Sequence, residues 1–246
     1  MDIHKPKPFH GWREFLAEIT VIVTGIVIAL GLDQGVEQIH NRVVAREAKQ
    51  EILQEIAQNR GFMQSRQESQ ACVSRRLDEI AALLDKAGTG EVTPRPNWIG
   101  QPSAWIMGVQ RWQAATSAGR TSLLGPEDQF NLANFYAVAA DFSASEDREQ
   151  AAWAQLRALE TWRGPLGDAG RVHFATALQQ ARYELWDTHV DMIIALQMAD
   201  RLGVKDTRAR MFGVTRTPHA ICLPITTTRE DALRLLSGEN DFGQPK

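Results

Sequence analysis

Residues 15–32 read FLAEITVIVTGIVIALGL. Eleven of these 18 residues are Phe, Leu, Ile or Val, and no charge follows Glu18 until Asp33. As a helix the stretch is about 27 Å long, close to the ~30 Å hydrocarbon core of a bilayer. The eleven side chains each favour insertion by roughly 0.3 to 0.6 kcal/mol, together on the order of 3 to 6 kcal/mol. Against that stand Thr20, Thr24, Gly25, Gly31 and Glu18. Glu18 lies near the edge, where its carboxylate reaches towards headgroups at less than the ~3 kcal/mol of a central charge. A surface helix of a soluble protein needs a polar face, and residues 19–32 have none. The stretch reads as a membrane-spanning helix with limits Phe15 and Leu32.

Basic residues orient that span. Lys5, Lys7 and Arg13 precede it, whereas the first residues beyond it offer Arg42 and Arg46, offset by Asp33 and Glu37. The positive-inside rule keeps residues 1–14 as a cytoplasmic leader, with Trp12 placed for the aromatic belt. Ala29-Leu30-Gly31 has the small residues of a signal-peptide cut, but the run exceeds a signal core and continues into a helical pattern. The expectation is an uncleaved anchor in a bacterial inner (cytoplasmic) membrane, with the bulk of the chain periplasmic.

Outward from the span, residues 33–87 contain no proline, and apolar residues recur at Val36, Ile39, Val43, Ile52 and Ile56. They resume at Val73, Leu77, Ile80 and Leu84, stepping by four, three and four. Between them, residues 58–70 are polar and include Gly61. This predicts one long membrane-proximal helix, kinked near Gly61, with its charges on a solvated face, ending at Gly88. Pro94, Pro96 and Pro102 then mark a loop. Further helical blocks are expected over 103–124, 127–141, from Ser145 through Trp153 to Trp162, and over 168–202. The tail from Gly203 reads as irregular, apart from a short helix at 229–237; residues 220–226 are the best strand candidate. The fold class is all-α: an N-terminal transmembrane helix continuing into a long helix, packed in a helical bundle over 88–246. Residues 33–246 are expected to form one domain.

Composition excludes some functions. The chain carries 27 basic and 30 acidic residues in 246, a net charge of −3, which gives no electrostatic footprint for nucleic acid. No phosphate-binding Gly-rich loop, His-Glu-x-x-His or Gly-x-Ser-x-Gly elbow occurs.

A resemblance emerges from other residues. Glu18-Ile19 through Ile28-Ala29-Leu30 is a span with an acid at its start. Further on come Trp112, Thr116-Ser117-Ala118-Gly119, Leu123-Leu124 and Phe135-Tyr136. With the leader Lys5-Pro6-Lys7-Pro8-Phe9-His10-Gly11-Trp12-Arg13, this pattern resembles a family of bacterial single-pass membrane proteins that carry a domain of unknown function. The likeness is clearest over residues 4–40 and 105–140. It implies a membrane anchor and a helical extracytoplasmic domain, and it transfers no catalytic residues.

Candidate chemistry is sparse. Glu37-x-x-His40 has half the spacing of a di-iron carboxylate site, but no second Glu-x-x-His accompanies it. Glu184, Asp187 and His189 gather on one helix; Glu184 and Asp187 are i,i+3 neighbours, while His189 falls on a different part of the surface. His173 and His189 could pair on a metal only through tertiary coincidence. Trp98, Trp105, Trp112, Trp153, Trp162 and Trp186 read as core rather than as a ligand cage. Cys72 and Cys222 lack CxxC spacing and form a disulfide candidate if they face an oxidising compartment. Gly25-x-x-x-Ala29 is a small-xxx-small pair within the span. No catalytic, cofactor or metal site is expected. The expected partners are the lipid bilayer and either a protein or a second copy, with no nucleic acid. The expected role is an interaction or scaffolding module, an accessory subunit of a membrane assembly. The alternatives are a sensory or ligand-binding ectodomain acting through a membrane partner, and an enzyme of unknown type.

Overall fold

The computed structural model describes residues 11–205 and 220–237, and all its regular structure is helical. Most of the leader, residues 1–10, and much of the expected irregular tail lie outside the described residues. The first helix, α1 (Trp12–Ala87), is continuous for 76 residues, about 114 Å at the α-helical rise. It has no proline, and it passes through Gly61 as unbroken α-helix. It stops at Gly88, whose φ of +56° favours glycine and whose N–H returns to the carbonyl of Leu84.

After a loop come α2 (Gln110–Ser117), a 3₁₀ turn (Arg120–Leu123), α3 (Pro126–Arg157), α4 (Gly167–Arg201) and α5 (Arg229–Ser237). Pro126 opens α3, with Glu127 and Asp128 in its first turn, where a fixed φ and negative charge both suit a helix start.

Several expectations need correction. The blocks at 127–141 and from Ser145 are one helix. Ser145 does not cap a new helix; its hydroxyl hydrogen-bonds the carbonyl of Asp141 one turn back, at 3.1 Å, and Asp187 at 2.8 Å. The block at 103–124 is mostly not α-helix. Residues 103–109 stay irregular because side chains from other helices bind their backbone: Asn59 bonds both the carbonyl and the N–H of Gly108, at 2.8 and 2.7 Å. Residues 220–226 form a 3₁₀ turn (Ala220–Cys222) rather than a strand.

Cross-helix pairs give the topology. Lys49–Asp128, Glu55–Tyr136 and Arg66–Glu149 advance together, so α3 runs parallel to α1. Arg60–Asp200 and Asp78–Arg182 run the opposite way, so α4 is antiparallel. The α3–α4 connection docks on the end of α1, where the N–H groups of Leu166 and Gly167 donate to the carbonyls of Gly90 and Thr89.

Two apolar cores fill this three-helix bundle. The nearer one includes Ile52, Ile56, Met63, Leu132, Phe135, Phe142 and Met192. The farther one includes Val73, Leu77, Ile80, Trp153, Leu156, Phe174 and Leu178. Each fully buried large side chain favours folding by roughly 1.5–3 kcal/mol.

Among the described residues one helix is long and apolar enough to cross a membrane, the N-terminal part of α1, and none of its most apolar 18-residue window is buried against the rest of the chain. Below the bundle, residues 33–44 continue α1 as a stalk about 18 Å long.

Candidate functional site

Where the two cores meet, the bundle is crossed by buried polar residues. On α1 these are Arg66 and Ser69, on α3 Ser145, Glu146 and Glu149, and on α4 Glu184 and Thr188. Residues 58–70, read as a solvated face, in fact bury Asn59, Arg66 and Ser69. The register explains this. Buried positions on α1 continue in steps of three and four through Ile52, Ile56, Asn59, Met63, Arg66 and Ser69, so polarity changes while the inward face does not.

Arg66 Nη2 donates to both carboxylate oxygens of Glu149, at 2.7 and 2.8 Å, and Nη1 reaches the Ser69 hydroxyl at 3.4 Å. Glu146 lies one helical turn from Glu149. Its Oε2 accepts the Trp105 N–H at 3.3 Å, and its Oε1 is buried without a hydrogen-bond partner. Burial pushes the Glu146 carboxyl up to about 8, and the Glu149 charge adds to this; the Trp105 N–H and Arg66 only partly oppose it. One guanidinium faces two acids, so a neutral layer requires a proton on one of them. Burial raises the Glu149 carboxyl as well, but both of its oxygens take the Arg66 Nη2 directly, which assigns the proton to Glu146 at neutral pH.

The neighbouring polar cluster opens to solvent. Arg148 Nε contacts both oxygens of buried Glu184 at 3.0 Å, and its Nη2 reaches Asp187 at 2.9 Å. Gln180 donates to Glu184 as well. Burial and the nearby carboxylates of Asp187 and Asp141 raise the Asp191 pKa.

Of the sequence candidates, Glu184 and Asp187 do converge, but on Arg148. His189 does not join them; it is half-buried, with Nδ1 lacking a hydrogen-bond partner. His173 packs edge-on against Phe174, and it precedes His189 by 16 residues on the same helix, about 24 Å along its axis. That distance excludes a shared metal. Glu37 and His40 are exposed on the stalk. Among the described residues no group of three or more His, Cys, Asp or Glu side chains is placed to hold a metal ion.

Two further buried groups tie irregular chain to α1. Glu55 accepts the backbone N–H groups of Arg111 and Trp112 at 2.8 and 3.2 Å and the Tyr136 hydroxyl at 2.6 Å. It therefore caps α2 from another helix, in place of Val109, which has no capping side chain. Trp112 stacks on Tyr136 at 5.1 Å, so two of the aromatic motif residues meet at this carboxylate. Arg76 pairs with Glu79 and donates to the carbonyls of Trp98, Ile99 and Leu223. One turn before it, Cys72 is disulfide-bonded to Cys222, with Cα atoms 4.9 Å apart.

Tryptophan behaviour is mixed. Trp98 and Trp153 are buried, while Trp105, Trp112 and Trp162 are half-buried against Phe62, Tyr136 and Phe174. Trp186 is 60% exposed, which corrects its reading as core; its position on α4 faces away from α1 and α3.

Grooves lie elsewhere. One of about 850 Å³ runs along the inner side of the stalk, lined by Gly31, Gln34, Gln38, Asn41 and the overhanging Leu123. A smaller one follows α4 past Val172, Thr176 and Gln179. The α4 groove also takes in Gln180, the donor to Glu184, while neither groove is lined by Arg66, Glu146 or Glu149. No family model, curated protein or solved structure matches the chain.

Proposed function

We propose that this chain is a single-pass protein of a bacterial inner membrane. In this reading its helical domain stands on the periplasmic side and acts as an interaction or scaffolding module, an accessory part of a larger membrane assembly. The observation that carries the reading is the continuity of α1. One uninterrupted helix supplies both the exposed apolar segment and an inward face of both bundle cores. Lipid is the solvent that removes the cost of exposing Val21, Ile22, Ile26, Val27 and Leu30. A rigid helix then fixes the bundle at a set height above the bilayer.

Three other observations support it. The Cys72–Cys222 disulfide suits an oxidising compartment. The basic leader points the N-terminus to the cytoplasm. The likeness to bacterial single-pass proteins, carried by the span and the Trp112 to Tyr136 motifs, agrees with both.

Protease added to spheroplasts tests the topology. Degradation of the domain without cell lysis is expected, and full protection until lysis would overturn it. Purification in mild detergent tests the interaction role. Recovery of a lone 27.5 kDa monomer, with no stable companion and no second copy, would count against it.

A further inference from the structure

The apolar face of α1 turns over where the helix leaves the bundle. Within the bundle, Ala48, Ile52, Ile56 and Met63 face the core. In the stalk the corresponding inward positions are polar: Gln34, Gln38 and Asn41 line the groove beneath the bundle. The stalk's apolar residues lie on the other side of the helix, about 180° away at roughly 100° per residue. Leu32, Val36, Ile39 and Val43 are 68, 67, 65 and 45% exposed, and the chain's own bundle hangs on the opposite face.

This stripe has a regular frame. Ile22, Gly25, Ala29, Leu32, Val36, Ile39 and Val43 follow one another in steps of three and four. They occupy alternate a and d positions of a heptad, with Ile22, Ala29, Val36 and Val43 at a. Three of the four a positions are β-branched and Leu32 stands at d, the combination that favours two parallel strands. Gly25 and Ala29 lie on the same side and let two backbones approach within the membrane. Glu18 and Arg46 take the next positions at either end, and their like charges limit the seam to the apolar stretch between them.

We propose that a second copy of this chain covers the stripe, forming a parallel two-helix seam from Ile22 to Val43. The inference deepens the interaction reading above and rests on its membrane anchor. Two features select a second copy. Copies in one membrane share one orientation, which brings identical stripes together at one height. The flanking charges are also self-complementary: Arg42 at position g meets Glu47 at position e of the neighbour's next heptad, and symmetry makes that pair twice. Both residues are exposed in the single chain, with Arg42 between the stripe and the groove that it also lines. The described parts of the bundles, on the outer faces, leave the seam unobstructed.

Single cysteines introduced into the full chain in native membranes test this. Under mild oxidation V36C and V43C are expected to shift the band from 27.5 kDa to twice that mass, whereas Q34C and Q38C stay at one chain. R42E and E47R each lower the cross-linked fraction of V43C, and the double exchange restores it. These exposed positions leave the bundle fold intact, so loss of cross-linking reads the seam. Monomer at all four positions, equal cross-linking on both faces, or an adduct of another protein's mass would each overturn the proposal. An alkaline wash of the same membranes separates the two claims. Chain retained in the pellet as monomer sinks the dimer alone, whereas chain released into the wash sinks the anchor and the parallel alignment with it.

Discussion

Arg66 brings one positive charge to two buried carboxylates, Glu149 at 2.7 Å and Glu146 one turn away on α3. The proton that balances them sits on Glu146, and it makes the bundle sensitive to pH. Glu146 holds its proton more tightly folded, at about 8, than unfolded, near 4.5. Its contribution is complete below about 4.5 and is lost as the pH rises through 8. By pH 7 the loss is on the order of 3 kcal/mol. Glu146→Gln should therefore raise stability at pH 7 and flatten the decline between pH 5 and 8, read as about a few kcal/mol in denaturation of the detergent-solubilised chain. An unchanged pH profile would show that Glu146 ionises freely in the fold. Glu55 offers a second case. Glu55→Ala leaves two backbone N–H groups of α2 and the Tyr136 hydroxyl without their acceptor, and should cost about 1–3 kcal/mol. Hydrogen exchange of the Arg111 and Trp112 amides should rise ahead of the rest of the bundle.

Elements show where periodicity succeeds and where it misleads. α1 was legible because an apolar span and a proline-free run adjoin without a break. The kink expected near Gly61 does not form; Gly61 is buried, and packing supports the helix there. On α4, Trp186 shares helical spacing with core residues yet faces outward. Trp186→Ala should change stability by no more than about 0.5 kcal/mol, whereas Trp153→Ala, in the far core, should cost roughly 3–5 kcal/mol. Thermal melts of the two variants give the comparison, and equal losses would contradict the orientation of α4. The merging of two expected helices into α3 has a similar cause. A Ser-Glu-Asp start signal is local, but Ser145 is satisfied inside the helix and by Asp187 across the bundle.

At the scale of the molecule, the disulfide and Arg76 hold the segment around residue 222 against the C-terminal part of α1, 150 residues earlier in the chain. Replacing Cys222 with Ser, or reducing the bond, should lower stability by about 2–4 kcal/mol. Proteolysis should then cut first near Ala220–Cys222, and an unchanged digestion pattern would show that Arg76 alone suffices. Residue order alone determined that this chain is helical, that residues 19–32 have no polar face, and that α1 runs on to Gly88. Those properties follow from local hydropathy, proline placement and helical period. Tertiary structure alone decided which polar residues are buried. Arg66, Glu146, Glu149 and Glu55 look like ordinary surface residues until α3, the 103–109 segment and α2 close over them, because a charge is tolerated inside only when its partner arrives from elsewhere in the chain. It also decided which side of the stalk its own bundle leaves bare, since that depends on where the other helices pack.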